Sequence, residues 1–180
     1  MKQLLTAICC LALLSIPAVA QKKAAHQPKA KGTMTDQQFV DFAAQTDMVE
    51  ANLGQLAQTV SDNQQVKDYA QMLVTDHTKD FGDLHTAAQQ AGLTVPGAID
   101  AAHNKSMIDR FQKLKGAAFD HKFIPAAIAG HMHAIEDYKK EAADSQNPAI
   151  KSYAEAAIPI LEKHLAGAKD LEHAKGSKAK

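Results

Sequence analysis

One carboxylate and three imidazoles, Glu50, His77, His131 and His164, fall near the middle of four separate stretches of helical pattern, one in each. Each lies on or beside the apolar stripe of its stretch. If the four helices run antiparallel, their midpoints reach one level whichever way each chain runs. The four groups then form a buried layer. Burying such groups without partners is costly, so the layer needs either mutual hydrogen bonds or an ion. Imidazole suits zinc, copper, iron and nickel, while a carboxylate suits harder ions. The residues therefore predict a metal site of Glu50, His77, His131 and His164 for a transition metal ion of the Fe, Zn, Cu or Mn kind. A ligating histidine normally gives its other ring nitrogen to an acceptor. Asp47, Asp76 and Asp80 are near enough in sequence to be those acceptors. Gly54 and Gly130, beside the layer, would let the helices approach. The competing reading is a metal-free network, in which Glu50 accepts hydrogen bonds from two imidazoles and the layer serves fold specificity only.

The remaining chemistry-bearing residues are scattered. His26, His103, His121, His133 and His173 read as solvated groups, His133 being two positions from His131 and so turned away from it. His85, two turns beyond His77, is the one whose spacing could reach the core. Met72, Met107 and Met132 read as core filler rather than copper ligands. The chain has no nucleophile elbow, phosphate loop, CxxC or HExxH. No catalytic residue is assigned, and an enzyme, specifically a redox enzyme with an open metal position, is the third reading behind metal binding and a structural bundle.

The elements that must position the layer are helices. Nothing between Thr33 and Lys175 sustains the two-residue alternation of a strand. Thr35 with Gln38 forms a capping box, opening a first helix whose stripe is Phe39, Ala43, Thr46, Val49/Glu50, Leu53, Ala57 and Val60. Ser61 with Gln64 reads as a second box that opens an antiparallel second helix, carrying Val66, Ala70, Leu73, His77, Leu84 and Ala88 and stopping at Gly92. A less apolar segment, Ala98 to Leu114, reads as a shorter helix ended by Gly116. A third long helix covers about Ala117 to Ala143, and Asn147-Pro148 caps a fourth. Pro125 and Pro159 lie inside these last two and should kink or break them. The long, partly helical crossover between second and third helices is the ferritin-like variant of the all-α four-helix bundle.

The ends of the chain read differently from its body. Residues 1–20 combine Lys2, an apolar run and Ala18-Val19-Ala20, the pattern of a secretory signal cut before Gln21. Both cysteines, Cys9 and Cys10, leave with it, so the mature chain must rely on its core rather than on disulfides. The destination is the periplasm or the cell exterior. Residues 21–34 are a basic leader, 35–174 the bundle and 175–180 a basic tail. Net charge is +0, yet residues 33–174 carry all twenty acids against twelve Lys and Arg. Basic ends could attach to an anionic envelope polymer or simply be solvated. An acidic body with 5% aromatic residues excludes a nucleic-acid partner. The composition leaves the oligomeric state open.

Residues 36–173 resemble the bacterial domain-of-unknown-function family 4142, placed in the ferritin-like superfamily. The stretches that carry this are Phe39–Leu56, Val66–Thr78, Gly116–Asp120, His131 with Ala134-Ile135, and Ile158–Leu165. The resemblance implies a secreted or envelope-associated helical bundle, and it brings no established reaction. Glu50, Asp76, His77, His131 and His164 match positions of the pattern. The ferritin-like di-iron set pairs Glu with His at a three-residue spacing. Here the residues three before the histidines are Val74, Ile128 and Leu161, which argues against a di-iron site.

Overall fold

The computed structural model of the protein describes residues 34–178, with side chains through Ala174. The expected signal segment and nearly all of the basic leader lie outside the described residues. Four long helices, α1 (Asp36–Val60), α2 (Gln64–Ala91), α4 (Gly116–Asp144) and α5 (Pro148–Lys178), form an all-α bundle. Between α2 and α4 lies the crossover, with a single turn α3 (Ala101–His103) and a π-helical turn, Asn104–Ile108.

The caps explain the boundaries. Thr35 and Gln38 close the expected reciprocal box on α1. The second boundary differs from expectation. Asn63, not Ser61, caps α2, accepting from the Gln65 amide at 3.0 Å, while Ser61 Oγ accepts from the Asn63 amide at 3.1 Å and shapes the turn. Gly92 ends α2 in the left-handed conformation, φ 68°, where a side chain is strained. Asn147 accepts from the Ala149 amide at 3.0 Å at the start of α5.

Neither proline breaks its helix: α4 and α5 are continuous through Pro125 and Pro159. Each ring removes one amide donor. The carbonyls left over belong to His121 and Glu155, both exposed, so water can satisfy them.

The crossover is not the single helix that its apolar residues suggest. Ser106 Oγ donates to the Ala102 carbonyl at 2.7 Å, a bond that competes with regular helix, and the Asp109 amide bonds back five residues to Asn104. Its start is pinned to α1 by Gln45, which donates to the Ala98 carbonyl at 3.1 Å and accepts from the Asp100 amide at 3.0 Å. Phe111 is buried at its far end, 1% exposed.

Packing is pairwise. α1 lies chiefly on α2 and α4 on α5; the pairs join mainly through α2 and α5, and α1 and α4 touch only a little. The core has two apolar clusters. One contains Phe39, Ala44, Leu84, Ala134, Tyr138 and Leu161. The other contains Val49, Leu73, Phe119, Phe123, Ala127 and Ala168. No helix among the described residues is long and apolar enough to cross a membrane.

Candidate metal centre

On each long helix the gap between the two clusters is filled by a polar residue. His77 lies between Leu73 and Leu84, His131 between Ala127 and Ala134, and His164 between Leu161 and Ala168. On α1 the gap falls between Ala44 and Val49 and holds Asp47. All four are buried: Asp47 is 1%, His77 2%, His131 2% and His164 0% exposed.

The three histidines meet. One ring nitrogen from each lies within 4.8 Å of one from each of the others, and their ring centroids are 5.0–5.8 Å apart. Each ring is held from outside by one nitrogen. His77 Nδ1 is 2.9 Å from Asp47 Oδ1, His131 Nδ1 is 2.8 Å from the Ala127 carbonyl, and His164 Nε2 is 3.0 Å from Asp76 Oδ2. A ring nitrogen beside a carbonyl or carboxylate is the donor, which fixes the tautomer. The other nitrogens, His77 Nε2, His131 Nε2 and His164 Nδ1, are buried without a hydrogen-bond partner. Each is then a lone pair with nothing to accept from.

Burial and electrostatics favour the neutral form of His77 and His164. Burial, followed by the neighbouring His164 and His131, holds His77 well below its ordinary value. Burial brings His164 down to about 4, against the opposing pull of its Asp76 hydrogen bond. Burial works to raise Asp76, but its bonds from His164 and Lys163 outweigh that and lower it. Burial, then the adjacent Asp80, pushes Asp47 well above the ordinary carboxylate range. Beyond Asp47 the polar layer continues: Tyr153 donates to Asp80 Oδ2 at 2.7 Å, and the Tyr138 and Tyr153 hydroxyls are 3.3 Å apart.

The sequence-predicted residues therefore divide. His77, His131 and His164 come together. Glu50 is buried, 7% exposed, but is not one of the mutually close ligand atoms. It sits in the Val49–Leu53 cluster region, one turn from the Asp47 level, and beside Gly130. Asp47 is hydrogen-bonded to His77 and Asp76 to His164. Asp80 bonds a tyrosine instead. The Ala127 carbonyl, the acceptor for His131, is invisible to side-chain reading because it belongs to the backbone. His85 is exposed and packs edge-on against Phe81, 4.9 Å between centroids. Of the two glycines, Gly54 marks a close approach: a Cβ there would lie 2.8 Å from the Ala70 carbonyl oxygen. Gly130 does not, its nearest neighbour being Glu50 Oε1 at 3.6 Å.

Three buried imidazoles, each with an acceptor on one ring nitrogen and no hydrogen-bond partner on the other, fit a borderline divalent cation. Such a set supplies three ligands and leaves a further position open. No curated protein and no solved structure matches this chain. The family model described as domain of unknown function (DUF4142) matches residues 21–171, and the chain belongs to that family.

Proposed function

We propose that the protein binds one divalent transition metal ion through His77, His131 and His164, and that it serves in sequestration of such an ion or protection against metal stress. The observation that carries this reading is the set of three buried histidines whose ring nitrogens approach within 4.8 Å of one another, each ring keeping one nitrogen without a hydrogen-bond partner. A metal-free polar layer would leave three lone pairs desolvated and unpaired, each costing about 1–3 kcal/mol. An ion removes that cost. A donor set of imidazoles without a carboxylate favours zinc, copper or nickel over manganese. Asp47 and Asp76 accept hydrogen bonds from two of the rings and so orient them.

The site of action proposed is the periplasm or the exterior, from the signal-like first twenty residues. The family match begins at Gln21, directly after the expected cleavage point. The basic segments at both ends would favour an anionic envelope surface.

The test is calorimetric titration of chelator-stripped protein with zinc, alongside cobalt absorption as a report on coordination. One ion per chain is expected. His131→Ala should weaken binding at least a hundredfold, whereas exposed His121→Ala should not. Substoichiometric binding, or equal binding by both variants, overturns the reading.

A further inference from the structure

Helices α1 and α4 touch only a little, and a cavity of about 330 Å³ lies between them and the crossover. Its lining includes Phe42 and Gln45 of α1, His131 and His133 of α4, and His103 and Met107 of the crossover. A second depression, of about 490 Å³, shares Phe42, Gln45 and His103 with the first and reaches Asp41 and Asp100. Three imidazoles thus border one cavity, and exposure orders them from outside to inside. The His133 and His103 side chains are 69% and 45% exposed. His131 is 2% exposed and belongs to the cluster of three buried histidines. Each outer ring has a carboxylate beside one nitrogen: Asp100 is 2.8 Å from His103 Nδ1, and Asp137 is 3.4 Å from His133 Nε2. A ligating histidine normally has such an acceptor, which leaves its other nitrogen for an ion.

We infer that a divalent transition metal ion reaches the buried histidines through this cavity, captured on the way by His103 and His133. The inference rests on the proposed metal centre and adds its route. Asp41 and Asp100 border the outer depression, and carboxylates there draw a cation inward. The inner cavity has room for an ion with about six waters, at about 30 Å³ each, so the ion is not stripped before capture. Two exposed imidazoles hold it more weakly than three buried ones, so it moves on. The last step needs the cleft to open, and the slight contact between α1 and α4 permits that. Gln45 restrains it, tying the crossover to α1 through the Ala98 carbonyl and the Asp100 amide. The approach beside His164 is guarded by a cation instead. Lys163 Nζ lies 3.1 Å from Asp76 Oδ2, the same oxygen that His164 meets at 3.0 Å.

The test is stopped-flow zinc association with the chelator-stripped full mature chain, paired with release into excess chelator and an equilibrium titration. A path does not alter its end states, so a residue of the route changes both rates alike and leaves Kd in place. The double variant His103→Gln/His133→Gln keeps size and polarity at accessible positions. It should slow association and release together by about tenfold, with Kd within about threefold. Gln45→Ala should speed both rates. His121→Gln, exposed and absent from the cavity wall, should change neither. Unchanged rates in the double variant, or weaker binding with an unchanged association rate, would overturn the route. So would Lys163→Met speeding entry more than Gln45→Ala does. Zinc that fails to bind the wild type at equilibrium removes the proposed function and its route together. Zinc that binds the double variant at wild-type rates removes the route alone.

Discussion

At the residue scale the decisive atoms are the ring nitrogens and the groups that hold them from outside. Asp47→Asn keeps the shape but offers His77 a neutral partner. It should cost about tenfold to a hundredfold in zinc affinity, measured by competition with a chromophoric chelator. The same substitution at Asp80, which bonds Tyr153 and no histidine, should cost much less. Acid sensitivity belongs to this scale too. In metal-free protein His164 titrates near 4 against an ordinary 6.5, and His77 is shifted the same way. The unfolded chain therefore binds more protons between these values, and stability falls as pH drops from about 6.5 toward 4. The raised carboxyls of Asp47, Glu50 and Asp80 act in the opposite direction, weakening the fold as pH rises through their shifted range. Comparison with His164→Gln isolates the histidine part. The wild-type loss over that window should exceed the variant's by at most about 3 kcal/mol, at roughly 1.4 kcal/mol per pKa unit, in urea unfolding of chelated samples. Equal slopes would remove this account.

The histidines are legible in the sequence because a bundle aligns helix midpoints, and the alignment works to about one turn. Within that tolerance Glu50 and Asp47 are equivalent. The two are three residues apart on the same helix face, and only the packing of the clusters distinguishes them. An acceptor such as the Ala127 carbonyl leaves no trace in residue type at all.

At the scale of elements, glycines give opposite predictions according to what surrounds them. Gly54→Ala forces a methyl group against the Ala70 carbonyl and Val74, where backbone must move. It should destabilise by about 1–3 kcal/mol. Gly82 is exposed in mid-helix, and a Cβ added there would meet nothing within 4 Å, so Gly82→Ala should stabilise by about 0.5–1 kcal/mol. Chemical denaturation of the two variants measures both signs. Helix existence is readable from stripe and cap, as Thr35, Gly92 and Asn147 illustrate. The start of α2 is not, because Ser61 and Asn63 are both good caps and the choice depends on the turn between. The crossover escapes sequence reading for a related reason. Its apolar spacing is helical, while Ser106 and the Gln45 tether impose an irregular path that periodicity does not encode.

For the whole molecule, an ion that binds only the folded chain adds its binding energy to folding. At a hundredfold excess over Kd the gain is about 2.7 kcal/mol, or a rise in Tm of roughly 5–10 °C for a chain of this size. Chelator should reverse it, and the triple variant lacking the three histidines should show no response. Calorimetry with and without zinc checks both. N-terminal sequencing of protein recovered from cells should begin at Gln21. Reductant should then leave the melt unchanged, since the two cysteines precede that residue.

The belt of polar groups across the waist of the bundle separates one oily compartment from the other. If the two compartments are coupled mainly through this belt, they should open one at a time in metal-free protein. Amide protons around Phe39 and Leu84 should then exchange on a different schedule from those around Leu73 and Phe123. An ion held as proposed would clamp all three histidine-bearing helices at once, so the two schedules should then merge into a single slow one.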